Sequence, residues 1–323
     1  MEIKLNNFST IGEKKQEQEH VKMLVIGSGP AGLAAALYGA RAELSPVVLS
    51  GMQIGGQAAI THVIENYPGF PDGVGGSELT ELFQKNAEKF GARVEFDSAT
   101  SVDLSQRPFV VKTYNKEYLA DTLIVSTGAS PNHLNIPGET ELTGKGVSYC
   151  GTCDGWFFKD KRVVVVGGGD SALEEGLFLT RFASDLKIIH RRDELRAGAI
   201  LQKRAQENEK LSFVWNSVVE EIVGDGAVKK VRIKNTKTGE ESFIETDGVF
   251  IFIGHTPNAE LFRDQLEFTD NGYIKVDSKM HTSVPGVYAA GEIADSHFRQ
   301  VITSAGMGAA AGIEATHFLE ANE

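Results

Sequence analysis

The chain has 323 residues, only two of them Cys, and its 32 Lys and Arg against 44 Asp and Glu give a formal charge of −12. At about 100–200 residues per domain the length suggests two domains, each able to bury its own core, and two Cys separated by two residues cannot staple a fold of this size. No basic run supplies the phosphate contacts that nucleic acid requires, and no stretch of about 20 apolar residues offers a membrane helix.

Residues 1–20 carry Lys4, Lys14 and Lys15 but neither an apolar core nor a small-residue cleavage site. They read as a polar extension rather than a secretory signal, which makes the cytoplasm the expected compartment. Residues 22–50 follow a pattern that returns at 162–190, with Gly27 matching Gly167 and Ser50 matching His190. Each copy is an apolar strand, a Gly turn, a helix with apolar positions every third or fourth residue, and a second apolar strand. In the first copy, Gly27, Gly29 and Gly32 fit G-x-G-x-x-G: one glycine permits the tight turn, the next lets pyrophosphate approach, and the third packs helix on strand. An ordinary tight turn is the competing reading, and the strand-turn-helix context weighs against it.

The run Leu123–Gly128 is apolar and ends in Gly, as does Val249–Gly254, and the two bracket the second copy. They read as the crossings between domains. The expectation is an α/β protein of two Rossmann-like dinucleotide-binding domains, the second inserted into the first, with 21–130 and 258–323 forming one and 131–257 the other. Between the crossings lies Cys150-Gly151-Thr152-Cys153-Asp154. C-x-x-C spacing allows a disulfide to form with little rearrangement, and a helix start lowers a thiol pKa. Zinc needs two more ligands, and with no second C-x-x-C and no paired-His motif no metal is expected. Asp154 suits both a helix cap and a general acid serving thiol-disulfide exchange.

The second turn, Gly167, Gly169 and Ala172, has the G-x-G-x-x-A form, with Asp170 and Ser171 opening its helix. Neither copy ends in the acid that would bind a ribose hydroxyl. The second offers His190-Arg191-Arg192 with Arg196 four residues on, a cationic cluster suited to a 2′-phosphate, which favours NADPH over NADH. A solvated basic face is the bland alternative. The first copy ends in Ser50-Gly51, and a second dinucleotide that is not the hydride donor is naturally FAD.

The order of a flavin-type turn, C-x-x-C-D, an NADPH-type turn and H-R-R-x-x-x-R resembles the low-molecular-weight thioredoxin reductases. So do Gly55-Gly56-Gln57, Glu65-Asn66-Tyr67-Pro68-Gly69, Ser126-Thr127-Gly128-Ala129, Ile253-Gly254-His255-Thr256-Pro257-Asn258, Ala289-Ala290-Gly291-Glu292 and Arg299-Gln300. The resemblance covers nearly the whole chain after residue 20. It implies that Cys153 faces the flavin, Cys150 attacks the thioredoxin disulfide and Asp154 is the acid. It places FAD against Ser28, Ala31, Gly56, Gln57, Asn66, Gly128, Glu292, Arg299 and Gln300, and NADPH against Gly169, Asp170, Ser171, His190, Arg191, Arg192 and Arg196. It also implies a homodimer whose domains rotate so that disulfide and nicotinamide take turns at the flavin. Glu292 stands where the family usually has Asp, which moves the carboxylate by a methylene, and Gly151 replaces the commoner Ala. Two alternatives remain: a related flavoenzyme with a different donor or acceptor, such as a glutaredoxin-like protein or a small disulfide, and a non-catalytic redox-sensing binding protein.

Overall fold

The structure is a computed structural model that describes residues 17–322 apart from His62. It divides into two compact units. The described residues up to Gly56, with Phe83–Thr127 and those from Ala259 on, form the first, and Gln57–Leu82 with Gly128–Asn258 form the second.

In the first unit, strands β1 (Glu17–Ile26), β2 (Val47–Leu49), β3 (Arg93–Glu95), β4 (Ala99–Asp103), β5 (Phe109–Thr113) and β6 (Lys116–Val125) lie in the order β3-β2-β1-β6-β5-β4. β1, β2, β3 and the second half of β6 pair in parallel, and Val287–Ala289 adds a further parallel partner along Leu123–Val125. Leu24, Val25, Leu123, Ile124 and Val125 have no exposed surface, the signature of a parallel sheet covered on both faces. Alternate residues serve opposite cores: Leu24 and Leu123 belong to one cluster, Val25 and Ile124 to the other. Helix α1 (Pro30–Arg41) links β1 to β2; α2 (Gly56–Ala59) falls almost wholly in the second unit, and α3 (Gly76–Lys89) passes from the second unit into the first. The helix Val301–Asn322 lies directly on α1. A Cβ at Gly308 would come 2.0 Å from the Ala31 carbonyl oxygen, and one at Gly312 would come 2.7 Å from that of Ala35. Small residues therefore set the distance between these two helices.

The polar extension expected over residues 1–20 ends earlier than the sequence suggests. Residues 1–16 lie outside the described residues, whereas Glu17–His20 are strand, in register with Lys116–Leu119 of β6. Their polarity reflects an edge partly in water: Glu19 pairs with both Arg93 and Lys116.

The second unit contains β7 (Ala129–Pro131), β8 (Val147–Ser148), β9 (Arg162–Gly167), β10 (Asp185–Ile189), β11 (Leu211–Val214), β12 (Ser217–Gly224), β13 (Val228–Asn235), β14 (Glu241–Glu245), β15 (Gly248–Phe252) and β16 (His255–Pro257). A five-stranded parallel sheet runs β11-β10-β9-β15-β8, beside an antiparallel sheet β12-β13-β14 and a β7-β16 pair. Helices α4 (Gly151–Asp154), α5 (Asp170–Leu179) and α6 (Ala199–Gln206) complete it. Val163, Val165 and Phe250 fill one core, and Val164, Val166, Val249 and Ile251 the other. The two Gly-ended runs read as crossings lead into paired strands, with Ala129 opposite Pro257 and Asn258 N–H donating to the Gly128 carbonyl at 3.0 Å. Each unit is thus built on a parallel sheet flanked by helices, extended in the first unit by the antiparallel strands β5 and β4, the architecture of a dinucleotide-binding α/β domain.

Candidate active site

Only Gly27, Ser28 and Gly29 separate β1 from α1. Gly27 has φ +109°, and a Cβ there would lie 2.2 Å from the Ser126 carbonyl oxygen. A Cβ at Gly32 would lie 1.9 Å from the Gly27 carbonyl oxygen, so neither position tolerates a side chain. Gly29 differs, since nothing lies within 4 Å of its missing Cβ. It caps α1 without a side-chain bond, and Pro30 presets the first turn. Open space facing uncapped N–H groups at the positive end of a helix suits a pyrophosphate. Ser28 is buried. Its hydroxyl accepts from the Gly55 N–H at 3.1 Å and reaches the Ser50 carbonyl at 3.3 Å, tying the turn to the following loop. Ala31 is buried under Gly308, and Gly56 packs beside Gly29, with its absent Cβ 3.4 Å from the Gly29 Cα.

Further along the same unit, Gly291 (φ +80°) turns the chain into the segment carrying Glu292, Arg299 and Gln300. Asp295 organises that segment by accepting from the N–H groups of His297, Phe298 and Arg299 at 2.9–3.0 Å. Burial pushes the Glu292 carboxyl up to about 7; Arg299 pulls it down and Asp295 pushes it further up. Burial also raises the hydroxyl of neighbouring Tyr273. Gln57, Asn66 and Gly128, also expected beside the flavin, belong to the second unit.

The second turn repeats the first with one difference. Gly167 is again crowded, its absent Cβ 2.5 Å from the Phe252 carbonyl oxygen and 2.6 Å from Ala172, and Gly169 is again open, with only Arg196 Nη2 near it at 3.7 Å. Gly169 caps α5 without a side-chain bond. Here, however, a loop folds over the turn: Arg196 N–H donates to the Gly168 carbonyl at 2.8 Å, and Asp170 Oδ1 accepts from Gly198 N–H at 2.7 Å. Arg191, Arg192 and Arg196 project from this loop around a cavity of about 290 Å³ that Asn216, Thr236 and Lys237 also line. Lys237 pairs with Asp193, but among the described residues no carboxylate pairs with the three arginines. Ser171 follows Asp170 in the first turn of α5.

His190 departs from the reading that grouped it with these cations. Its ring is 6% exposed and sits under the turn, with Nδ1 3.0 Å from the Gly167 carbonyl and Nε2 3.0 Å from the Glu194 carbonyl. It occupies the space that a Cβ on Gly168 would take, 2.2 Å from its Nδ1. Its side chain therefore buttresses the turn and the arginine loop from inside, and both nitrogens are already engaged.

Cys150 and Cys153 form a disulfide with Cα atoms 5.3 Å apart. Cys150 is the N-cap of α4, its Sγ accepting the Cys153 N–H at 3.2 Å, so the pair opens a helical turn. Asp154 closes that turn. Burial pushes its carboxyl up, and a 2.6 Å hydrogen bond from the Ser148 hydroxyl opposes the rise. Trp156 and Phe157, next in the chain, are exposed. On the other flank, Tyr149 donates its hydroxyl to Glu139 Oε1 at 2.8 Å, and His133 Nδ1 lies 2.8 Å from the same hydroxyl. Glu139 is 2% exposed. Burial opposes its ionisation, but Tyr149 and the N–H groups of Leu134, Asn135 and Ile136 hold its carboxyl below the ordinary value. No group of His, Cys, Asp and Glu among the described residues is arranged to hold a metal.

Residues 21–308 match the family model described as pyridine nucleotide-disulphide oxidoreductase. The chain belongs to this family. The enzyme is similar to the thioredoxin reductase of Peptoclostridium litorale, 49% identical over 302 residues that make up 92% of this chain and 96% of that protein. It is 50% identical to the thioredoxin reductase of Rickettsia bellii, covering 92% of this chain and 98% of that one. The crystal structure of thioredoxin reductase from Streptococcus pyogenes superposes with a TM-score of 0.89 at 42% identity, over 94% of this chain and 99% of that chain.

FAD and NADPH are the cofactors of this oxidoreductase, and its residues fit both. Two uncapped helix starts with open space at Gly29 and Gly169 suit two dinucleotides, and three arginines without carboxylate partners among the described residues suit the one bearing an extra phosphate. The sequence reading missed Ser148, Tyr149 and Glu139. A lone Ser or Tyr carries no signal, and Glu139 meets Tyr149 only because the chain turns back between them.

Proposed function

We propose that this oxidoreductase reduces thioredoxin, passing electrons from NADPH through FAD to the Cys150–Cys153 disulfide and on to the disulfide of oxidised thioredoxin. One observation carries the reading: a disulfide that caps a helical turn, with an acid in the same turn, in a unit that also bears an arginine-lined dinucleotide turn. Relatives that share nearly half their residues over nine-tenths of the chain carry the thioredoxin reductase name.

FAD held at the first glycine turn would supply two-electron chemistry, with hydride from NADPH as the source and a disulfide as the destination. In the reduced chain, Cys150 as thiolate attacks one sulfur of the thioredoxin disulfide, forming a mixed disulfide and expelling a thiolate, which takes a proton from Asp154. Cys153 as thiolate then attacks the Cys150 sulfur, re-forming the Cys150–Cys153 bond and releasing the second thioredoxin sulfur as a thiolate that takes its proton from water, so two sulfurs of the enzyme are oxidised and two of thioredoxin reduced. The start of α4 stabilises the Cys150 thiolate. Exposed Trp156 and Phe157 give a protein substrate apolar surface beside the disulfide.

In this reading, 21–130 with 258–323 is the FAD-binding domain and 131–257 the NADPH-binding domain. FAD lies against the turn Gly27, Ser28, Gly29, Ala31 and Gly32, with Gly56, Gln57, Asn66, Gly128, Glu292, Arg299 and Gln300. NADPH lies against Gly167, Gly169, Asp170 and Ser171 with the loop of Arg191, Arg192 and Arg196, and His190 supports that loop. The enzyme acts as a homodimer, as its resemblance to the family implies, and in the cytoplasm, where a vicinal dithiol can cycle. No helix among the described residues is long and apolar enough to cross a membrane.

The test is anaerobic reduction of the flavin by NADPH, followed by steady-state turnover with the host's own thioredoxins and with NADPH and NADH side by side. Cys153→Ser should take up NADPH electrons yet fail to reduce thioredoxin. A flavin that stays oxidised under NADPH rules out the donor, and full thioredoxin turnover in Cys153→Ser rules out the dithiol route.

A further inference from the structure

We infer that Ser148 is the positioning residue for the acid chemistry of the disulfide, binding the Asp154 carboxyl and the Cys150 backbone into one hydrogen-bonded unit that survives gain or loss of a proton. The inference rests on the reading of Asp154 as the acid.

Ser148 is well placed for this. It ends the two-residue strand β8, is 5% exposed and stands opposite Phe250 of the buried strand β15, so its Cα is fixed to the sheet while Cys150, the N-cap of α4, follows two residues later. Its Oγ has three neighbours: Asp154 Oδ2 at 2.6 Å, the Cys150 N–H at 3.1 Å and the Cys150 carbonyl oxygen at 3.2 Å. The Cys150 N–H can only donate, and the carbonyl can only accept. A hydroxyl has one hydrogen to give and two lone pairs, which fixes the pattern for each state of the acid.

With Asp154 ionised, the Ser148 hydrogen goes to the carboxylate, the nearer and charged acceptor, and one lone pair takes the Cys150 N–H. With Asp154 protonated, the carboxyl O–H donates to Ser148 Oγ, the Ser148 hydrogen turns to the Cys150 carbonyl, and the second lone pair is filled. Both patterns use the same heavy-atom positions. The acid can therefore give its proton to a departing thiolate and regain one without the turn moving, and Cys150 is held to the same hydroxyl throughout. Among the described residues Ser148 supplies the only hydrogen bond to the Asp154 side chain.

The readout is the infrared carboxylic-acid band of the oxidised holoenzyme that Asp154→Asn removes, followed against pH. Ser148→Ala takes a hydrogen bond from both forms of the acid but the stronger one from the carboxylate, so it should raise the midpoint of that band by about one pH unit, the difference expected between a charged and a neutral hydrogen bond. Ser148→Thr should restore it, and the pH limb of thioredoxin turnover should move in parallel. A midpoint in Ser148→Ala equal to the parent's, with Asp154→Asn still impairing turnover, overturns the role of Ser148 and leaves the acid standing. Unchanged turnover and pH profile in Asp154→Asn overturns the acid, and Ser148 with it. Should the Ala variant fail to accumulate, the band frequency in the unaltered enzyme decides: a position typical of a carboxyl without a hydrogen bond refutes the contact.

Discussion

Glu292 provides a quantitative test because its environment and its sign are both defined. Burial raises its carboxyl from an ordinary value near 4.5 to about 7, with Arg299 only partly offsetting the loss of water and Asp295 adding to it. At about 1.4 kcal/mol per unit, that difference amounts to roughly 3 kcal/mol of folding free energy linked to one proton. The folded state holds this proton more tightly than the unfolded chain. The contribution is therefore fully present below about pH 4.5, declines as pH rises, and is gone above about pH 7. Glu292→Gln has no proton to lose. Urea unfolding of the flavin-free protein across this range should show the stability gap shifting in favour of the Gln variant by roughly 3 kcal/mol between the acid and alkaline ends, with the steepest change between the two pKa values. Two curves that remain parallel with pH would refute the assignment of a desolvated carboxyl at this position. Glu292→Asp, which restores the residue usual in the family, should lower the midpoint of the change, because the shorter arm draws the carboxyl out of its present surroundings.

Other outcomes follow from particular contacts. Arg192→Ala should raise the KM for NADPH about 10- to 100-fold while leaving that for NADH nearly unchanged, the loss expected for one charge-assisted bond to phosphate; equal effects on both nucleotides would return the arginine loop to a solvated face. Tyr149→Phe removes a donor from the buried Glu139 carboxylate and should destabilise the protein by about 1–3 kcal/mol in chemical denaturation, with no change in flavin content. Gly308→Ala puts a methyl 2.0 Å from the Ala31 carbonyl oxygen, where only backbone can yield. It should cost about 1–3 kcal/mol and weaken flavin retention during dialysis, because the displaced helix is the one that begins at the pyrophosphate turn.

The sequence showed most where local chemistry and function coincide. Gly27, Gly32 and Gly167 announce themselves because a side chain at any of them would strike backbone within 2–3 Å. The cysteine pair was legible for a similar reason, its spacing being set by one helical turn. Positions whose role depends on distant chain were not. Glu17–His20 look like a solvated tail until β6, a hundred residues away, supplies partners. His190 reads as one of three adjacent cations, yet the end of β10 directs its ring inward while Arg191 and Arg192 point to water. The antiparallel sheet β12-β13-β14 carries no motif. Gly308 and Gly312 look like ordinary helix residues, and only the closeness of α1 gives them meaning.

That helix contact has a bearing on how the protein is made. The pyrophosphate turn opens at Gly27, yet α1 is seated by Val301–Asn322, which leaves the ribosome long after it. The second unit, Gln57–Leu82 with Gly128–Asn258, has emerged while the first still lacks the strand Val287–Ala289 and its closing helix. Stable flavin capture is thus deferred until Val301–Asn322 has been made, and a chain cut short before residue 301 should emerge colourless even though every residue of its first glycine turn is present.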